Sequence, residues 1–259
     1  MNPTDRLVEL GLSPREAAAK ARLFDRCDRA LSSADRTARW SLWVPGRIEI
    51  LGKHTDYAGG RSLVCALERG FCVRVAPRRD AFIRVRDATR RASFETSLSA
   101  VAAGSPGEWN QYVATVARRL AANFSDLRRG ADIAFASDLP ADAGMSSSSA
   151  LIIAIFIALS KANDLRSHAW FRGAISSSEE LAAYLGAVEN GLPFRQLGAE
   201  AGVGTHGGSQ DHSAILCSEP GMVGRFAWAP LRHEATLPMP PGHVFALGVS
   251  GVHAPKTGA

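Results

Sequence analysis

Three polar stretches carry residue types that act on small polar molecules. Residues 139–150, LPADAGMSSSSA, set Gly144, Met145 and four serines, Ser146, Ser147, Ser148 and Ser149, ahead of the apolar run LIIAIFIAL. Small side chains and free backbone N–H groups at a helix start admit a phosphate, and serine hydroxyls can bond its oxygens or a Mg2+ ion. A serine-rich N-cap with no ligand accounts for the same residues, and the stretch is neither a Walker A loop nor G-x-G-x-x-G. Residues 45–60, PGRIEILGKHTDYAGG, crowd Arg47, Lys53, His54 and Asp56 between two apolar runs. Such polar density on a loop suits recognition of a polar small molecule, with a solvated hairpin as the other reading. Residues 204–212, GTHGGSQDH, place Asp211 where a helix would begin. A carboxylate there either caps the helix or takes a proton from a substrate hydroxyl. His54, His206 and His212 show no H-x-x-x-H or carboxylate spacing of a zinc site.

The elements around these loops follow from periodicity. Residues 14–31 repeat Ala, Leu and Arg at helical spacing, with Ser13 as N-cap and Pro14 in the first turn. From residue 40 to 86 the pattern turns to strands, SLWV, RIEIL, FCVRVAP and AFIRVR, with turns at Gly59-Gly60 and Arg79-Asp80. Helical spacing returns over residues 108–122, GADIAFA reads as a strand, and the apolar run after the serines reads as a buried helix. Residues 178–190 open with Ser and Glu and form a further helix. A loop then covers 191–208, SAILC is a short apolar segment, and MVGRFAW and HVFALGV read as late strands. The whole is an α+β fold.

Composition excludes several classes. The chain has 259 residues, 46% hydrophobic and 21% charged, with 24 Gly and 13 Pro, as in folded proteins of one large or two small domains. Its longest apolar run, residues 150–159, falls short of the roughly 18 residues that cross a bilayer. The N-terminus lacks a signal-peptide pattern, and Cys27, Cys65, Cys72 and Cys217 form no C-x-x-C pair, which makes a reduced cytoplasm the expectation. Net charge is +5, yet the arginines are scattered without interleaved aromatics. The expected partners are therefore small molecules, with neither nucleic acid nor membrane among them, and no oligomeric state is indicated.

Taken in chain order, PGRIEILGKHTDYAGG, LPADAGMSSSSALIIA and GGSQDHSAIL resemble the GHMP small-molecule kinases of the galactokinase type. The signature PGR…GEHTDY…GG of that family is nearly repeated. The resemblance runs from about Trp40 to the last residue. It implies a GHMP kinase N-terminal domain, ribosomal protein S5 domain 2-like. Residues 1–35 would be a helical segment, 36–235 the domain holding sugar and ATP, and 236–259 the start of a ferredoxin-like C-terminal domain. The implied activity is transfer of the γ-phosphate of ATP to the anomeric hydroxyl of galactose or a related sugar. By position, the resemblance implies Asp211 as the catalytic aspartate and Arg47 as the arginine beside the transferred phosphate. Lys53, His54 and Asp56 fall among the acceptor contacts, and Gly144 to Ser149 form the ATP phosphate loop. Ser148, or Ser147 if the extra serine shifts the register, and Glu189 are implied as Mg2+ ligands.

Four departures qualify what the resemblance implies. Lys53 stands where the family has glutamate, which reverses a charge near the sugar and makes a uronic acid such as galacturonate a competitor to galactose. The family's M-D-Q is Gln210-Asp211-His212 here. Residues 191–205 form a longer, Gly-rich segment, read as mobile. The chain is also shorter than family members, so weak activity and an exposed apolar edge are expected. A non-catalytic sugar or nucleotide sensor on the same scaffold is a second reading. A mevalonate or homoserine kinase branch is a weaker third, because those lack H-T-D-Y-x-G-G.

Overall fold

The computed structural model describes residues 3–31, 40–140 and 143–248. Ala141 and Asp142 of the serine loop, and the parts of the expected terminal segments at 1–2, 32–39 and 249–259, lie outside the described residues.

A single long strand organises the sheet. β2 (Arg61–Pro77) is 17 residues of Val, Leu, Phe and Cys alternating with polar positions. β1 (Trp40–Leu51) runs antiparallel along one side of β2. The apparent break at Pro45-Gly46 is a bulge within β1 and not the end of a strand. The other side of β2 is shared: β5 (Ala131–Ser137) pairs with residues 71–77 and β6 (Met222–Ala227) with residues 61–64. Beyond β5 lie β3 (Phe82–Asp87), parallel to it, and β4 (Ala92–Ser97), and beyond β6 lies β7 (Arg232–Pro238).

Helices cover both faces of this sheet. Two N-terminal helices, α1 (Pro3–Glu9) and α2 (Pro14–Ala30), occupy one face, and Ser13 caps α2 by accepting from Glu16 N–H as expected. α3 (Trp109–Asn123), α4 (Ser147–Ala162) and α6 (Ser178–Asn190) enclose the main core with Val73, Val75, Ile133 and Phe135 of the sheet. The all-apolar reading of α4 holds, since its positions from Ser149 to Phe156 are buried around its whole circumference. α5 (Ala169–Ala174) closes the far end, and α7 (Gln210–Leu216) follows the long loop.

Three expectations change. HVFALGV is not a strand: residues 243–248 pair with nothing among the described residues, and Val244 is 88% exposed. An alternating apolar pattern makes a strand only where a sheet edge is available to it, and the edge beside β6 is occupied by β7, whose RHEATLP pattern is too polar to signal a strand. β4 and α5 also escape the periodicity, being short. Residues 191–205 are tied down by named bonds. Arg119 and Asn123 of α3 are buried and hold Leu192 O at 2.7 Å and Gly198 O at 3.1 Å. Val203 N–H donates to Glu189 O, and Arg195 reaches Ala174 O and Glu180.

Candidate active site

The three polar stretches meet at one end of β1. Gly46 on the β1 bulge faces the serine loop so closely that a Cβ there would lie 2.9 Å from Met145 O and 2.6 Å from a Leu139 methyl. Arg47 N–H then donates to Met145 O at 3.3 Å. The Arg47 guanidinium, mostly buried, bridges the other two elements: Nε donates to Asp211 Oδ1 at 2.7 Å and Nη1 to Gly144 O at 2.6 Å. One side chain thus joins the acidic helix start to the phosphate-type loop, and the charge-assisted bond to Asp211 fixes the carboxylate's direction.

Burial pushes the Asp211 carboxyl pKa up, but the Arg47 charge, the nearby Ser146 hydroxyl and the Arg47 hydrogen bond outweigh it. The group therefore sits below the usual carboxylate range and is ionised at neutral pH. Ser146 lies close enough to exert this pull, yet outside hydrogen-bonding geometry: its hydroxyl is buried and has no hydrogen-bond partner. Its backbone is left-handed, φ 57°, at the N-cap of α4.

The first turn of α4 faces a second carboxylate. Ser149 Oγ donates to Glu189 Oε2 at 2.9 Å, so it is Ser149, one position beyond Ser148, that meets Glu189. Ser148 lies near Tyr112 of α3, whose phenol pKa is raised by burial and by the Glu189 charge against the pull of the Ser148 hydroxyl. Tyr112 was legible only as part of the apolar stripe of α3. His212 Nε2 lies 3.3 Å from Glu189 Oε2 but off the hydrogen-bond direction, and neither ring nitrogen has a hydrogen-bond partner. Complete burial drives its pKa down to about 4 against the pull of the Asp211 charge, so the imidazole is neutral.

Asp56 joins the site through the backbone. Its Oδ2 accepts from Gly208 N–H at 2.9 Å and Gln210 N–H at 3.4 Å, which pins the turn that starts α7. The approach demands glycine, because a Cβ at 208 would lie 2.7 Å from Asp56 Oδ2. Lys53 and His54 are exposed on the loop after β1, touching none of the other candidates; His54 lies 6.4 Å from the Tyr57 ring. Ser147 is half-buried at the first position of α4. Arg47, Gly144, Met145, Ser146 and Asp211 therefore converge, Ser149 and Glu189 adjoin them, and Lys53 and His54 stand apart on the rim.

Sequence comparison bears on what this convergence belongs to. Residues 36–77 match the galactokinase galactose-binding signature and residues 111–219 the GHMP kinases N terminal domain. Over these two stretches the chain is similar to the GHMP kinases, with a galactokinase-type signature in the first. Galactokinase of Actinobacillus pleuropneumoniae is 35% identical over 119 residues, 46% of this chain and 31% of that protein. Galactokinase of Chloroflexus aurantiacus is 38% identical over 112 residues, 43% of this chain and 28% of that protein. Lactococcus lactis galactokinase, solved in complex with galactose, superposes with a TM-score of 0.68 at 21% identity, covering 85% of this chain and 52% of that one. Methanococcus jannaschii mevalonate kinase shares the fold at a TM-score of 0.52 and 16% identity, over 77% of this chain and 57% of that one. The matches span about half of the solved galactokinase and about a third of the curated galactokinases.

The site has groups that fit a magnesium nucleotide. The amides of Ser147, Ser148 and Ser149 precede the first helical bond of α4, Ala150 N–H to Ser146 O, which is the part of a helix that suits an anion. The partnerless Ser146 hydroxyl is a ready donor to a phosphate oxygen. Glu189, with Ser148 or Ser149, offers oxygen ligands of the kind a hard cation takes. Among the described residues no group of three or more His, Cys, Asp or Glu could hold a metal, so these oxygens would need the nucleotide's own phosphates to complete a coordination shell.

Proposed function

We propose that this chain forms the sugar- and nucleotide-binding part of an ATP-dependent sugar 1-kinase that phosphorylates the anomeric hydroxyl of galactose. The observation that carries the reading is the Arg47 bridge between the Asp211 carboxylate and Gly144 of the serine loop. In this reading the bridge sets a basic oxygen beside a terminal phosphate held by the serine loop. Phosphoryl transfer has a loose transition state, so alignment and charge neutralisation supply most of the acceleration.

The residues divide that work. The Ser147–Ser149 amides and the Ser146 hydroxyl hold phosphate oxygens. Mg2+, when bound at Glu189 and Ser148 or Ser149, neutralises phosphate charge. Arg47 balances charge on the transferred group and keeps Asp211 ionised. Asp211 orients the anomeric hydroxyl and accepts its proton. Asp56 keeps the Asp211 turn seated through the Gly208 and Gln210 amides. Four free cysteines suit a reducing compartment and support a cytoplasmic setting. Residues 36–235 would form the working domain, and 236–259 would begin the next.

Asp211→Asn tests the reading. The variant should remain folded and lose ATP-dependent formation of galactose 1-phosphate, followed by phosphorus NMR, by at least about 10³-fold. Full activity in the variant would remove Asp211 from the proton-accepting role. Binding of sugar and ATP by the unsubstituted chain without turnover would favour a sensor.

A uronic-acid acceptor is favoured by one observation. Lys53 is exposed on the loop after β1 with no carboxylate partner among the described residues, which suits a C6 carboxylate. A panel of galactose, galacturonate, glucuronate and arabinose separates the two. Preference for galacturonate that disappears in Lys53→Glu establishes the acidic acceptor.

A further inference from the structure

Asp211 is flanked by Gln210 and His212, both buried, and Gln210 takes part in a hydrogen-bond chain that spans four elements. Its Nε2 donates to Glu49 Oε2 of β1 at 2.6 Å and its Oε1 accepts from Ser62 Oγ of β2 at 2.7 Å. Ser62 Oγ in turn accepts from the indole Nε1–H of Trp228, just beyond β6, at 3.0 Å. Gly52 O lies 2.9 Å from Ser62 Oγ and 2.8 Å from Thr55 Oγ1. Each hydroxyl has one proton, which sets the direction of the chain. Ser62 donates to Gln210 and accepts from Trp228, and the Thr55 hydroxyl, within reach of Gly52 O, of Arg61 O at 3.1 Å and of Ser62 Oγ at 3.2 Å, ties residues 52–55 to Ser62. The Gln210 amide cannot be reversed, because its oxygen would then face the Glu49 carboxylate.

Glu49 lies two positions after Arg47 on β1, and Gln210 immediately precedes Asp211. Gln210 is also held through its backbone by Asp56. We infer that Gln210 is a positioning residue that locks the acceptor-side loop at Gly52 and Thr55 to the Asp211 turn, so that seating of one sets the aim of the other. The family pattern described above has methionine here, which offers no hydrogen bond to either neighbour. The coupling is thus a feature of this chain's Glu49–Gln210–Ser62 set. Only the rate readout below rests on the kinase reading.

The test combines Gln210→Met, Gln210→Glu and the reciprocal pair Glu49→Gln with Gln210→Glu on the whole chain. Gln210→Met strands the Ser62 proton and the Glu49 oxygen. Amide hydrogen exchange should then accelerate together in the peptides covering residues 52–55 and 208–211. Gln210→Glu sets two carboxylates face to face and should accelerate both further. The reciprocal pair restores a donor at 49 and two acceptors at 210, and should return exchange to the starting rate. In the kinase assay Gln210→Met should lower kcat by about 10²-fold, the cost of a displacement near 1 Å at a reacting group. The KM for ATP should be unchanged, the KM for the sugar should rise, and the reciprocal pair should recover most of the rate. Exchange that changes at one loop alone, or a reciprocal pair no better than Gln210→Glu, overturns the inference. Coupled exchange in a chain that transfers no phosphate upholds the lock and overturns only the kinase reading.

Discussion

Two clusters of buried polar groups lie on opposite faces of the same sheet, and they are completed in different ways. Under α2, Lys20 is fully buried, yet its ammonium bonds Glu16 Oε2 at 2.7 Å and Asp138 Oδ2, and lies 5.2 Å from the centre of the Trp43 ring. Asp138 spends its other oxygen on Gly70 N–H at 2.8 Å. Lys20, Glu16 and Asp138 thus partner one another, although Arg74 Nε on the same face is buried without a hydrogen-bond partner. At the α4 start, the Ser146 hydroxyl and both His212 nitrogens are buried with no hydrogen-bond partner. Leaving a buried polar group unpaired costs about 1–3 kcal/mol, so a fold retains such groups where something else completes them. The first cluster holds the N-terminal helices to the sheet, and the second suits the ligand of the proposed site. The two should respond oppositely to removal of a polar group.

Lys20→Met should give the largest loss of stability. The substitution keeps the side-chain volume but leaves the Glu16 and Asp138 carboxylates facing each other without their cation. Breaking such a pair costs about 3 kcal/mol, toward the low end of the range because both carboxylates reach solvent. Chemical denaturation should show that loss, while ATP and sugar affinities measured on the folded protein remain within about twofold. A fall in ligand affinity of tenfold or more would mean that the two faces are coupled and that the contrast is wrong.

A smaller effect is expected where the long loop is tied to α6. Glu180 accepts from Ser176 Oγ and Ser176 N–H and pairs with Arg195, and these contacts lower its pKa to about 2. The folded value lies below the unfolded one, so the unfolded chain binds the proton more readily between the two. Stability from this group is complete above about pH 4.5 and is lost as pH falls toward 2. Glu180→Gln should cost about 1 kcal/mol at neutral pH after solvent screening, and should flatten the stability profile between pH 4.5 and 2. An unchanged acid slope in the variant would show that other carboxylates carry it.

What the sequence revealed follows the same division. α2 and α6 were legible to within a residue because their caps are local: Ser13 with Pro14, and Ser177 with Glu180. α4 announced itself as an unbroken apolar run. The three site loops were legible as a set because their order and spacing repeat a family pattern, and the Arg47–Asp211 pair fell within it. What escaped depends on partners far away in the chain. β7 is a strand because β6 offers an edge, and residues 191–205 are fixed because Arg119 and Asn123 of α3 reach over to them. Tyr112 read as one more apolar position of α3, and Gln210 as a substituted motif letter, because neither shows its polar neighbours until β1, β2 and α4 are in place. Glycine content alone does not separate mobility from close packing at 191–205: a Cβ at Gly202 would lie 2.5 Å from Glu189 O, whereas one at Gly204 would meet nothing within 4 Å.

The smallest change in stability, and the sharpest contrast with Lys20, is expected from Ser146→Ala. The hydroxyl has no hydrogen-bond partner among the described residues, so its removal deletes a desolvation cost against the loss of its pull on Asp211 and a few contacts. Alanine tolerates the left-handed backbone at 146 about as poorly as serine does, so no new strain enters. Stability should therefore stay within about 0.5 kcal/mol of the starting value or rise slightly. ATP binds against this loop in the proposed site, and loss of one donor to a charged phosphate oxygen should weaken it by about tenfold, the equivalent of roughly 1.5 kcal/mol. The Asp211 carboxyl should also move up, because the Ser146 hydroxyl is among the groups that hold it down. Thermal melting, calorimetry with a non-hydrolysable ATP analogue and carboxyl NMR measure the three separately. A destabilisation of about 2 kcal/mol with unchanged nucleotide affinity would place Ser146 with Lys20, among the groups that hold the fold, and would leave the serine loop without its strongest claim on a phosphate.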